Sequence, residues 1–125
     1  MHPADHLLER CFATSPAVRY VAVYWRGELR MRERAGLQGA SASETDRYEE
    51  LLVNPALLTL TRQRGEIDCG GLTYLLIRYG NFFTFLRPLA AGHVNVGWEP
   101  DVDLERALRE VQEIIADWAA AEDRP

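Results

Sequence analysis

Residues 72–89 read LTYLLIRYGNFFTFLRPL, and eleven of these eighteen positions are Leu, Ile, Phe or Tyr. Two arginines and a central Gly80-Asn81 pair interrupt the stretch, so it lacks the unbroken apolar run that a membrane-spanning helix needs. Gly followed by Asn between two apolar runs is typical of a β-hairpin, because Gly tolerates the positive φ of a tight reversal. We therefore predict strands at 72–79 and 82–89, and no membrane span.

The first of these strands carries apolar side chains on both faces, because successive strand residues alternate in direction. One face carries Leu72, Tyr74 and Leu76, and the other carries Leu75, Ile77 and Tyr79. Neither face can be left to water, so the sequence predicts protein on both sides of the sheet.

Patterns outside the hairpin predict three more strands and two helices. The runs VRYVAVYW and ELRMRER flank a tight turn at Arg26-Gly27, and Val94 and Val96 alternate with polar residues in a fifth strand. The first helix has an apolar stripe at helical spacing, formed by Leu7, Leu8, Cys11 and Phe12. Asp101 and Asp103 precede the closing helix as caps. The stripe of that helix comprises Leu104, Leu108, Val111, Ile115 and Trp118.

A third helix is predicted in the middle of the chain. Ser43 suits the N-cap, with Asp46 where a capping box places an acid, and Tyr48, Leu51 and Leu52 form an apolar stripe. Pro55 lacks an N–H and clashes inside a helix, so we expect a kink or a restart with Asn54 as the cap.

Five antiparallel strands and three helices define an α+β fold in one domain, 1–125. The two terminal helices are expected on one face of the sheet and the middle helix on the other, which covers both faces of the hairpin. At 125 residues the chain is long enough for one core.

Composition and charge exclude several functions. The net charge of −5 provides no positive field for a nucleic acid. The N-terminus lacks the apolar core of a signal peptide, which favours a cytoplasmic location, where both Cys11 and Cys69 are expected to be buried, inert thiols. His2, His6 and His93 are isolated, and no catalytic or metal-binding motif is present, so we expect no enzyme activity, no metal and no cofactor.

The second strand has a row of arginines. Leu29 and Met31 are expected to face inward, while Arg30, Arg32 and Arg34 share the opposite face with Glu28. A solvated sheet edge is the favoured interpretation of this row, and a site for phosphate or an acidic partner is the alternative.

The sequence resembles the Roadblock/dynein light chain family over about residues 5–117. The resemblance rests on YVAVYWRGELRMRE as the first hairpin, on the long middle helix, on GGLTYLLIRYGNFFTFL, and on HVNVGWEPDVD before the closing helix. Arg26, where an acidic turn residue is common, and Pro55, within a usually continuous helix, depart from the family pattern.

The resemblance implies a homodimer in which the third strand lies at a sheet edge and pairs with its twin to extend the sheet, with the middle helices side by side. The interface residues it implies are Leu51, Leu58, Leu72, Tyr74, Leu75, Leu76 and Ile77. It also implies a small Ras-like GTPase as partner, activated or scaffolded through the exposed side of the middle helix around Glu44, Arg47 and Tyr48.

Two alternatives stay open at this point. One is a purely structural adaptor. The other is a small-molecule-sensing domain with a pocket beneath the aromatic hairpin, lined by Tyr74, Tyr79, Phe83 and Trp98.

Overall fold

The structure is a computed structural model that describes residues 1–35 and 43–125, with the side chains of Ser43 and Glu44 left out. The predicted cap at Ser43 and the predicted partner contact of Glu44 therefore lie outside the described residues. The elements are α1 (Pro3–Phe12), β1 (Val18–Trp25), β2 (Glu28–Glu33), α2 (Ser43–Tyr48), a π-helical turn (Glu49–Val53), α3 (Asn54–Asp68), β3 (Leu75–Arg78), β4 (Phe83–Leu89), β5 (Gly92–Trp98) and α4 (Leu104–Glu122). We call the span Ser43–Asp68 the middle helix.

The five strands form one antiparallel sheet in the order β2-β1-β5-β4-β3. Helices α1 and α4 cover one face of the sheet, and the middle helix lies on the other. This is the α+β arrangement that the sequence predicts. Within the described ranges, no helix is both long enough and apolar enough to cross a membrane.

The main core lies between the sheet and the two terminal helices. Alternate residues of β1 and β5, among them Val21, Val23 and Val96, are fully buried there against the apolar stripes of α1 and α4. The indoles of Trp25 and Trp118 meet edge to face with centroids 5.0 Å apart, a favourable aromatic geometry. The stripe predicted for the closing helix therefore packs on the sheet.

Helix α4 begins where the sequence predicts. The side chain of Asp103 is the N-cap and accepts a hydrogen bond from the backbone N–H of Arg106 at 3.3 Å. This bond satisfies one of the donors that every helix start leaves without an intrahelical partner.

The two hairpin turns differ from each other. Arg26 and Gly27 have φ of 52° and 81°, the left-handed pair that a two-residue turn requires. Gly80 has no positive φ, so the expected role of this glycine is wrong. The second hairpin closes instead through a hydrogen bond from the N–H of Tyr79 to the carbonyl of Phe82, at 2.9 Å.

Strand β3 is shorter than predicted and covers only Leu75–Arg78. The chain leaves α3 through Gly70 and Gly71, both left-handed, and the N–H of Gly71 donates to the carbonyl of Gly65 at 3.0 Å. This glycine exit ties the segment to the helix end, and pairing with β4 begins only at Leu75.

The covering of β3 is incomplete, which corrects the expectation of protein on both faces. Leu75 and Ile77 pair with Leu86 and Thr84 and share their face, the one under the middle helix. Leu76 points to the other face, where its side chain is 38% exposed.

The arginine row of β2 lies at a sheet edge, as expected, but it is only partly solvated. Arg30 pairs with Asp5 at 2.9 Å, and Arg32 pairs with Glu9. The guanidiniums of Arg32 and Arg34 also lie over the ring of Phe12, 4.2 and 4.7 Å from its centroid. The acidic partner of this row is thus α1 of the same chain.

The two apolar residues of β2 also differ from expectation. Leu29 and Met31 pair with Tyr24 and Ala22 and share the middle-helix face of the sheet. Both are only half-buried, because β2 is an edge strand.

Candidate partner-binding surface

A fully buried carboxylate fixes the middle helix on the sheet. Glu50 is 0% exposed. Its Oε1 atom lies 2.9 Å from Nδ2 of Asn54 and 2.8 Å from Nε2 of His93. Its Oε2 atom accepts from Oη of Tyr20 at 2.8 Å and from Nδ2 of Asn95 at 2.7 Å. Because both oxygens act as acceptors, the ring proton of His93 belongs on Nε2.

The sequence interpretation did not identify this network. His93 and Asn95 alternate with valines, a pattern that suggests a polar outer face, yet they are 2% and 1% exposed. They are buried because β5 is the central strand and the middle helix covers that face. The sequence did contain one signal of this network: Glu50 stands directly before the Leu51-Leu52 pair. A helix that covers polar strand residues must offer them a hydrogen-bond partner, and a glutamate can do so.

The backbone just before Pro55 forms a π-helical turn over Glu49–Val53. Pro55 has no N–H, and the N–H of Asn54 donates to the carbonyl of Glu49, five residues earlier. Val53 and Asn54 keep right-handed helical angles, so the helix continues and does not restart. The predicted cap is also wrong, because the amide of Asn54 bonds Glu50 and caps nothing.

The outer side of the middle helix exposes large apolar side chains. Along its length the exposed ones are Tyr48 at 59%, Leu51 at 37%, Leu52 at 60%, Leu60 at 67% and Ile67 at 76%. Leu60 and Ile67 stand roughly 180–200° around the helix from Leu58, which faces the sheet. Apolar surface of this extent on one helix marks an interaction site more often than a solvated face.

The predicted site residues divide between the surface and the interior. Leu51, Leu76, Arg47 and Tyr48 are exposed. Leu58 is 5% exposed and lines a small cavity with Tyr24 and His93, so most of its side chain is covered within the protomer. The remaining predicted interface residues are half-buried along the segment that leads into and through β3: Leu72, Tyr74, Leu75 and Ile77.

The edge position predicted for β3 is present in the sheet. Among the described residues, strand β3 pairs with β4 on one side only, so its other side offers backbone groups that no described strand pairs. Leu76 and Tyr79 are each 38% exposed at this edge. The open edge and the apolar side of the middle helix are the two parts of the candidate surface.

Carboxylates gather where the middle helix approaches the second hairpin. Burial, and then the neighbouring charges of Glu50 and Asp46, raise the pKa of Glu49 to about 7. Oε1 of Glu49 is buried and makes no hydrogen bond among the described residues. The pKa of Tyr79 is also raised, first by burial and then by Glu49.

The aromatic pocket proposed as an alternative does not form. Trp98 is 0% exposed, and Tyr74 and Phe83 pack against the same core. Tyr79 belongs to the opposite face of the hairpin and packs on Phe82, with centroids 5.4 Å apart. These four residues therefore do not line one cavity.

The two thiols differ in their exposure, and His2 makes a local structural contact. Cys11 is buried, and burial raises its pKa to about 12, whereas Cys69 is exposed and contradicts the prediction of two buried thiols. His2 caps α1 by accepting from the N–H of Ala4 at 3.1 Å. In the described part of the chain, no three His, Cys, Asp or Glu side chains are grouped as metal ligands.

The fold is shared with several solved structures. An MglB with a tetrameric arrangement has a TM-score of 0.71 and 11% identity, and covers 97% of this chain and 93% of its own. The Roadblock/LC7 domain from Streptomyces avermitilis has a TM-score of 0.66 and 14% identity, over 90% and 92%. The gliding protein MglB from Thermus thermophilus has a TM-score of 0.63 and 14% identity, over 95% and 90%.

These likenesses define the fold as the Roadblock/LC7 type, which the resemblance in the sequence predicts. No protein-family model matches the sequence. No curated protein matches it by sequence either.

Proposed function

We propose that this chain is a single Roadblock-type domain, 1–125, that forms a homodimer and regulates a small Ras-like GTPase as an activator or a scaffold. The observation that supports the proposal is the exposed apolar side of the middle helix next to the open edge of β3. Both are features that a symmetric partner would cover.

The open edge favours self-association. An uncovered edge strand is a template for stray pairing, and β3 carries no charged residue before Arg78 to prevent it. Pairing with a second copy would satisfy the free backbone groups of β3. In this dimer the proposed strand contacts are Leu72, Tyr74, Leu75, Leu76 and Ile77.

The middle helix favours an antiparallel arrangement about a two-fold axis. Apart from the buried Glu50, its stretch 43–53 carries three acidic residues and Arg47, whereas Arg62 and Arg64 stand next to Leu60. Antiparallel packing would set the acidic half of one helix against the basic part of its twin. With Leu58 facing the sheet, the proposed helix contacts are Leu51, Leu52 and Leu60, in an interface of roughly 1,000 Å² or more.

Sedimentation equilibrium at micromolar concentration tests the dimer. Leu52→Glu replaces an exposed leucine, so the fold should persist while the protein becomes monomeric. Ala120→Glu adds the same charge to an exposed position of α4 and should leave the dimer intact. A soluble wild-type monomer would refute self-association.

GTPase regulation rests on the family resemblance and on the exposed Arg47 and Tyr48. One of the proteins that share this fold is a gliding protein, which is consistent with a role in motility. The test is to mix the protein with a small GTPase encoded beside it, in the GTP-bound and GDP-bound forms, and to measure complex formation and hydrolysis. Tyr48→Ala should weaken binding in the GTP form. If the dimer persists without any complex or rate change, a structural adaptor becomes the better description.

A further inference from the structure

The π-helical turn determines which residues of the middle helix face outward. A π-turn accommodates one more residue than a regular α-turn, so it rotates everything before it by about 100° relative to α3. The direction in which Leu58 and Leu60 point does not depend on the turn, because both residues belong to α3. The display of Tyr48, Leu51 and Leu52 therefore depends on this turn.

A competing arrangement is available to the same sequence. If the turn relaxed to regular α-helix, Leu51 would rotate toward the buried position that Glu50 occupies, and Glu50 would rotate toward water. Hydrophobicity alone favours that exchange, since it buries a leucine and hydrates a carboxylate. The observed arrangement therefore needs a specific interaction to hold it.

The four contacts of Glu50 supply that interaction. Its donors come from β1, from β5 and from α3, so they fix the carboxylate relative to the sheet and to the helix beyond the turn. Moving Glu50 away would leave Tyr20, His93 and Asn95 buried without their acceptor, which is costly. Buried polar networks of this kind select one register among several.

We infer that Glu50 is a positioning residue that selects the π-helical register and thereby the apolar side chains that the middle helix presents to a partner. This deepens the proposed function, because Leu51 and Leu52 belong to the proposed dimer interface. The inference itself concerns one protomer and is tested without reference to the dimer.

Distances between spin labels measure the register. One label is placed at Tyr48→Cys, the last residue before the turn, or at Leu60→Cys, after it, and the reference label is at Arg109→Cys on the exposed side of α4. The exposed Cys69 is first changed to Ser, while Cys11 is buried and stays. Labelled protein is diluted with unlabelled protein so that only distances within a protomer are seen.

In Glu50→Gln we expect a second or displaced distance for the 48–109 pair, shifted by roughly 5 Å as a rotation of one residue requires. The 60–109 distance should stay unchanged. Glu49→Gln, one position away and without a bond in the network, should leave both distances as in the unmodified protein. This contrast separates a change of register from a general loosening of the helix.

Tyr20→Phe removes one of the four donors and keeps the ring, so it serves if Glu50→Gln does not fold. It should populate the same shifted 48–109 distance to a smaller extent. The inference is overturned if the folded variants keep the 48–109 distance, or if both distances broaden equally. A monomeric wild-type protein would refute the proposed dimer and leave this result intact.

Discussion

The indole Nε1 of Trp25 donates a hydrogen bond to Oδ1 of Asp123 at 3.0 Å, which joins the end of the first strand to the residue after α4. The same carboxylate accepts from the backbone N–H groups of Ala90 and Ala91, at 2.5 and 3.2 Å. One side chain thus satisfies three donors from two parts of the sheet. The end of the closing helix is fastened to the sheet through this residue.

Asp123→Ala is expected to lower the free energy of unfolding by about 1–3 kcal/mol, because the indole N–H of Trp25 loses its acceptor in a buried setting. Urea unfolding followed by tryptophan fluorescence measures the change. Glu122→Ala, at an exposed neighbouring position, is the control and should be close to neutral. Equal effects of the two substitutions would show that the contact with Trp25 contributes nothing.

Val111→Asp is expected to destabilise the protein severely, by about 3 kcal/mol or more, because Val111 is 0% exposed between α4 and the sheet. Thermal unfolding followed by circular dichroism is the measurement. Arg109→Asp places the same side chain on the exposed side of α4 and should change the melting temperature little. If Val111→Asp did not lower the melting temperature, the apolar stripe of α4 would not be part of the protein core.

Glu49→Gln is expected to change the pH dependence of stability. The pKa of Glu49 is about 7 in the folded protein against an ordinary value of 4.5. The folded protein therefore binds the carboxyl proton more tightly than the unfolded chain does. The contribution of Glu49 to stability is therefore fully present below pH 4.5 and is lost as the pH rises to about 7. The variant should be more stable than the wild type at pH 8 by about 1 kcal/mol, less than full linkage because Glu49 is partly exposed and screened.

Urea unfolding at pH 8 and at pH 4 measures this difference, which should disappear at the lower pH. Glu113→Gln, on the exposed side of α4, is the control and should show no such dependence. A stability gain of the same size at both pH values would argue against the titration of Glu49.

The two thiols are expected to react very differently. Cys69 is exposed, whereas Cys11 is 0% exposed and burial raises its pKa to about 12, so little thiolate forms there. A thiol reagent should modify one cysteine per native chain and two after denaturation. Cys69→Ser should abolish the native reaction, and rapid labelling that survives in this variant would contradict the burial of Cys11.

Local patterns in the sequence predict most of the fold. Alternation in ELRMRER, the helical stripe from Leu104 to Trp118, and the caps each depend on a few neighbouring residues, so they can be recognised without knowing the rest of the chain. The left-handed turn at Arg26-Gly27 follows from the same local rules. The edge position of β3 was an expectation of the family resemblance, and the observed strand order confirms it.

Long-range contacts account for what the sequence did not predict. The donors that hold Glu50 come from Tyr20, His93 and Asn95, which lie 30, 43 and 45 positions away, and their polarity suggested an outer face until β5 was placed in the centre of the sheet. The arginine row of β2 likewise finds its acids on α1, a helix that only folding brings alongside.

The helices, the strands and their apolar faces can be derived from the amino-acid order alone, because backbone propensity and hydrophobic periodicity depend on near neighbours. Three features required the folded chain: Leu58 faces the sheet, the middle helix contains a π-helical turn just before Pro55, and Leu52 and Leu60 are left exposed. These outcomes depend on which buried polar groups find partners across the fold, and no local pattern contains that information.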